Sequence, residues 1–159
     1  VDQPSAEAEG SIALLAHPSP PFPVKLEQAA AIARYTLVAE GQPALELSIT
    51  LVDDERIAAM HVEYLDVEGP TDVISFPLRD EGDPDPLLGE VVVSLDTALR
   101  QSADHDLDPW KEALLYVVHG SLHLLGYDDH EPDDEARMAK RQRALLDAFL
   151  AGAEPPSPD

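Results

Sequence analysis

From Leu45 to Leu51 the chain alternates without a break, Leu45, Leu47, Ile49 and Leu51 against Glu46, Ser48 and Thr50. Successive side chains of a strand point to opposite faces, so the segment reads as a strand with one face in a core and the other wet. A helical pattern stands on each side of it. Before it, Leu26, Ala29, Ala30, Ala33 and Leu37 recur at the spacing of one helix face, within Lys25 to Ala39, and the pattern closes near Glu40-Gly41. After it, Asp53 caps a predicted helix with Asp54 and Glu55 at its positive end and Ile57, His61, Tyr64 and Leu65 along one side.

Ser11 to Ala16 reads as a first strand, and the Pro-punctuated HPSPPFP behind it belongs to neither helix nor central strand. Thr71 to Phe76 is a short extended segment stopped by Pro77, Glu90 to Leu95 a buried Val-rich strand, and RDEGDPDPLL between them a loop. Asp108-Pro109 starts a helix whose apolar side is Trp110, Leu114, Val117, Val118, Leu122 and Leu125, and Gly126 stops it. A last helix, Pro132 to Leu150, opens with Asp133, Asp134 and Glu135 and is expected to bury Ala139, Leu146, Phe149 and Leu150. Residues 1–10 and 152–159 are polar, small or Pro-rich and read as disordered tails around one domain over 11–151.

The chain has no cysteine, which excludes disulfides, thiolate nucleophiles and Cys-based metal clusters, so a metal has only His and carboxylate to sit on. Thirty-two acidic residues against ten basic ones give a net charge of −22, which repels a polyanion at long range. Taken alone, that charge speaks against nucleic acid, although acidic surfaces also arise as adaptations to salt. The opening VDQPSAEAEG has no basic region, and the apolar run behind it is too short for a signal or membrane-spanning helix. The expectation is a cytoplasmic protein without membrane contact.

His119 and His123 stand four residues apart in the predicted helix, so both project from one face and can grip one metal ion. Gly126 then turns the chain back across the helix end, and HGSLHLLGYDDH supplies a third imidazole, His130. Three neutral imidazoles without cysteine suit one zinc ion and leave its fourth tetrahedral position open, the arrangement of a catalytic rather than a structural site. His17, His61 and His105 have no second ligand at such spacing. In HExxH metalloproteases a Glu follows the first His, but here Gly120 holds that position. Peptide hydrolysis then needs a Glu from elsewhere.

HGSLHLLGYDDH resembles the HGxLHLxGYDH signature of the YbeY family, and GPTDVISFP from Gly69 to Pro77 resembles that family's PTDVLSFP. LSITLVDDERIAAMHVEY from Leu47 and GEVVVS from Gly89 are similar to its corresponding segments, so the resemblance covers roughly residues 45–150. It implies an α+β domain, with a small, mostly parallel sheet flanked by helices and a metal site in a cleft. The order strand, helix, strand, helix, strands, helices agrees. It further implies a single-strand-specific, zinc-dependent endoribonuclease of ribosomal RNA maturation and ribosome quality control, working on ribosomal RNA or pre-ribosomal particles, with ribosomal proteins as further partners and no DNA.

On this resemblance the metal histidines fall on His119, His123 and a residue at the motif's end, and Thr71, Asp72 and Ser75 line the cleft. Two departures stand out. Leu65 occupies the place of a phosphate-binding Arg, for which Arg79 or Arg56 are the substitutes, Arg79 and Ser75 being taken as substrate-binding. The family's third His lies ten residues after the first, where this chain has Asp129, and His130 follows. The expected ligand is His130, as the neutral donor, with Asp129 the competing candidate. The charge and the missing Arg keep open a second reading, a zinc-stabilised ribosome-biogenesis factor that cleaves nothing.

Overall fold

The computed structural model of the chain describes residues 4–80 and 82–157. The alternating segment becomes strand β3 (Glu46–Val52), at the middle of a five-stranded sheet. Its neighbours are β2 (Ser11–Leu15) and β5 (Leu87–Ser94), both parallel to it; β1 (Ser5–Ala8) and β4 (Val73–Pro77) add antiparallel edges, in the order β1-β2-β3-β5-β4. Parallel neighbours need long crossovers, supplied by α1 (Leu26–Ala39) between β2 and β3 and by α2 (Asp54–Leu65) with β4 between β3 and β5. Three further helices follow: α3 (Leu95–Gln101), α4 (Pro109–Leu124) and α5 (Pro132–Leu150).

The sheet separates two cores of unequal size. Leu47, Ile49, Leu51, Val91 and Val93 enter the larger one with α1, α4 and α5, whereas Val52, Ile74 and Val92 meet Ile57 of α2 in the smaller. β5 is covered on both faces, which is why it reads as an unbroken Val91-Val92-Val93 run rather than an alternation.

Parts of both expected tails are in contact with the domain. Ser5–Ala8 is an edge strand, with Ala8 opposite Ser11 and Gly10 at φ +80° in the connecting turn. Its stability comes from the ladder it forms with β2, a contact invisible in a polar, alternating SAEA. At the other end the Tyr35 hydroxyl donates to Ala153 O at 2.8 Å and Arg141 Nη1 to Pro156 O at 2.9 Å, so the chain is tied down beyond α5. Residues 1–3, 158 and 159 of those tails lie outside the described residues. The short helix α3 was not anticipated either; its cap, Ser94 accepting from Thr97 N at 3.1 Å, closes the Val-rich strand and opens the helix at once.

Candidate metal centre

Asp108 caps α4 by accepting from Lys111 N at 2.9 Å with Pro109 in the first turn, and the helix runs to Leu124 across the sheet. Its contact with the sheet is close at Gly120. A Cβ there would lie 2.6 Å from Val91 Cγ1 and 3.2 Å from Val73 Cγ2. The position occupied by Glu in HExxH proteins is therefore buried against the sheet and has no room for any side chain. Ser75 secures the same contact, its hydroxyl donating to Gly120 O at 3.1 Å.

With Gly120 facing the sheet, His119 and His123 turn toward the cleft beside β4, their rings edge to face with centroids 4.7 Å apart. Each ring is oriented from behind. His123 Nδ1 lies 3.1 Å from Tyr127 O, which can only accept, so this nitrogen carries the proton. His119 Nδ1 lies 2.7 Å from Gln142 Oε1 on α5, the same arrangement with a side-chain carbonyl. Both Nε2 atoms are thereby left as lone-pair donors, and both face one carboxylate oxygen, Asp129 Oδ2, at 3.9 Å from His119 and 3.3 Å from His123. Acceptors facing an acceptor call for a cation between them. Ligand atoms around a tetrahedral zinc ion stand roughly 3.3 Å from one another, so the three groups fit such an ion.

The third group facing the two histidines here is the Asp129 carboxylate, whereas the expected ligand, His130, is not in this cluster. Asp128 Oδ1 accepts from His130 N at 3.0 Å, a turn that holds the Asp128 carboxyl below the usual carboxylate range, chiefly through that backbone N–H. Asp129 faces the histidines, while His130 is 85% exposed and pairs with Asp128 at the edge of the same cleft. Asp128, Asp129 and His130 also lie within reach of a common ion, but two of them are exposed and no histidine of α4 joins them.

The cleft, about 650 Å³, is lined by Leu65, Asp72, β4 from Val73 to Ser75, Pro77, Leu124, the histidine–aspartate group and the exposed His130. Among the described residues no Lys or Arg lines it. Asp72 Oδ1 accepts from Val73 N at 2.8 Å and from the Thr71 hydroxyl at 3.3 Å, so Asp72 shapes the entry to β4 while Thr71 stays behind it. Arg79, expected at the substrate, is not among the residues that line the cleft; it donates to Asp83 O at 2.7 Å and Asp85 O at 3.2 Å, stapling its own loop. Arg56 is exposed on α2. His17 bonds Asp96, His61 bonds Gly69 O and His105 bonds Glu112, all away from this group.

Sequence reasoning missed the support of the metal loop. Tyr127, whose carbonyl orients His123, donates its hydroxyl to Glu40 Oε1 at 2.7 Å, and Glu40 is held by Arg141 at 2.6 Å in an ion pair 9% exposed on both sides. Burial, then the bond to Glu40, pushes the Tyr127 hydroxyl pKa up. Gln142 had a signal: it is a polar residue within the inward stripe of Met138, Arg141, Leu145 and Leu146.

Fold and donor set together define an α+β protein with a metal-capable cleft between a helix and a sheet edge. Residues 24–150 match the sequence model of the family described as Endoribonuclease YbeY. The endoribonuclease YbeY of Streptomyces coelicolor is 42% identical over 142 residues, covering 80% of this chain and 85% of its own. That of Beutenbergia cavernae is 42% identical over 140 residues, covering 82% and 93%. The solution structure of TM1509 from Thermotoga maritima has the same fold, with a TM-score of 0.54 at 24% identity over 79% of each chain. The chain belongs to the endoribonuclease YbeY family.

Proposed function

We propose that the chain is a zinc-dependent endoribonuclease that cuts single-stranded ribosomal RNA during ribosome maturation, in the cytoplasm, with His119, His123 and Asp129 holding the ion. Family membership supplies the reaction, hydrolysis of RNA phosphodiester bonds in ribosomal RNA maturation. The observation that carries the metal is the convergence of two Nε2 lone pairs on Asp129 Oδ2 with both Nδ1 protons engaged behind. Bound there, zinc supplies a Lewis acid for a phosphoryl oxygen and acidifies water.

The chain's own part is orientation. Gln142 and the Tyr127 carbonyl fix both ring tautomers, so the donors need no reorganisation when a cation arrives. Asp72 adds a second carboxylate to a cleft that, among the described residues, no lysine or arginine lines, which favours a divalent cation and disfavours bare phosphate. Among the described residues no helix is long and apolar enough to cross a membrane. Ribosomal proteins, and a role in ribosome quality control, are further proposals that rest on the family alone.

Zinc-reconstituted protein is incubated with a single-stranded RNA oligonucleotide, with a His119→Ala control and a casein digest alongside. RNA cleavage that His119→Ala abolishes, with casein intact, supports the reading. Stoichiometric zinc with RNA left whole overturns it in favour of a non-cleaving ribosome-biogenesis factor.

A further inference from the structure

We infer that Tyr64 is a base-stacking residue, which holds an unpaired nucleobase of the RNA at the mouth of the cleft by ring contact instead of phosphate pairing. The inference rests on the endoribonuclease reading and adds to it how an acidic protein retains its substrate. The starting point is the cleft wall, which among the described residues offers no Lys or Arg, in a chain of net charge −22. Phosphate neutralisation, the usual source of affinity for RNA, is therefore missing where the scissile strand has to lie.

Apolar surface is what the mouth offers instead. Of the twelve residues of α2 only Ile57 is buried, and its C-terminal end leaves Val62, Tyr64, Leu65 and, just beyond, Val67 exposed. Leu65 is itself part of the cleft wall, so this surface is continuous with the metal centre. Tyr64 is 58% exposed, and its ring is braced edge to face by Phe76, centroids 5.2 Å apart. Phe76 packs against the smaller core beneath α2, on the other face of edge strand β4 from Ser75 and Pro77, so the link from Tyr64 to the cleft runs through its neighbour Leu65 at the sheet edge. A braced, half-exposed ring one residue from the cleft wall costs little entropy to use, and every base has a face to lay on it. Single-stranded RNA is thus the occupant that chemistry favours; stacking tolerates any sequence but requires bases free of a duplex.

The test uses the zinc-loaded full chain and a single-stranded RNA with 2-aminopurine near the cut site. Tyr64→Leu keeps apolar packing on Phe76 without the π face, Tyr64→Phe keeps the face, and melting temperature with zinc content confirms that both variants are folded and loaded. Wild type and Tyr64→Phe are expected to quench 2-aminopurine alike, while Tyr64→Leu loses the quenching and raises KM about tenfold with kcat within about twofold, as for a lost uniform binding contact. A KM within about twofold of wild type in Tyr64→Leu overturns the inference with the nuclease reading intact. So does loss of binding in Tyr64→Phe, which makes the hydroxyl the contact. Wild-type protein that binds no RNA at all overturns both.

Discussion

Asp129 and His130 are neighbours that compete for one role, and substituting each by Ala separates them. Asp129 Oδ2 sits 3.3 Å and 3.9 Å from the two histidine Nε2 atoms, whereas His130 is 85% exposed and bonded to Asp128. Zinc bound by four ligands in small proteins is worth about 10–16 kcal/mol, so one ligand accounts for roughly 2.5–4 kcal/mol, or two to three decades in affinity. Asp129→Ala is therefore expected to weaken zinc about 100- to 1,000-fold. His130→Ala, a surface change, is expected to stay within about threefold. Competition against a chromophoric chelator at pH 7.5 reads both. Asp129→His, which restores a third imidazole at the same backbone position, should keep affinity within about tenfold of wild type and serves as the control for loop disruption. A larger loss in His130→Ala than in Asp129→Ala would refute the assignment and the turn geometry behind it.

Arg141→Ala should lower unfolding free energy by about 3–5 kcal/mol in urea titration, because it strands the buried Glu40 carboxylate; a loss below about 1 kcal/mol contradicts the burial of the pair. Gly120→Ala should cost about 1–3 kcal/mol in the same assay, since its Cβ would meet Val91 Cγ1 at 2.6 Å, and unchanged stability would show that α4 can lift off the sheet freely. Leu65→Arg places a cation in the cleft wall, and the slope of log KM for single-stranded RNA against log salt should steepen by about 0.7, one phosphate contact; an unchanged slope argues that the strand does not pass Leu65. Asp54 is partly buried, which raises its pKa, but hydrogen bonds from Arg100, Ser94 and Thr97 together hold the carboxyl below its ordinary 3.8. A lowered folded pKa gives stability present above the unfolded value and lost as pH falls below about 3.8, so Asp54→Asn should flatten that acid limb in pH-dependent melting, and an unaltered limb would refute the network.

What could be read from the sequence was whatever local periodicity or chain spacing decides. β3, α1 and α4 follow from their own apolar patterns and α2 from its Asp53 cap, although of its expected side only Ile57 is buried, and the i,i+4 spacing alone puts His119 and His123 on one face. What could not be read depends on partners distant in sequence or on the phase of a turn. β1 exists only as a ladder on β2. The buried stripe of α5 is Met138, Arg141, Leu145 and Leu146, with Phe149 packed at its edge; Leu146 and Phe149 were expected there, but Ala139 and Leu150 face outward because the stripe takes in an arginine that the reading did not admit to the core. The choice between Asp129 and His130 turned on electronic preference for a neutral donor, whereas the Asp128 turn decides which of two adjacent side chains points inward.

The carboxylate beside the two histidines also bears on the charge problem. A cleft wall with Asp72, Asp129 and, among the described residues, no Lys or Arg repels an RNA strand, and a divalent ion held there would supply positive charge at that wall. Its attraction is short-ranged, since over a Debye length of about 8 Å the surrounding −22 prevails. Encounter with RNA is thus slowed rather than steered, and retention falls to contacts made only at van der Waals distance, the metal with one phosphate and an exposed ring with one base. Duplex RNA presents its phosphates equally well but hides its bases in the stack, so it forfeits the second contact and meets the full repulsion of two strands. A preference for single strands therefore follows from the acidity of the protein itself, without any base-specific hydrogen bond.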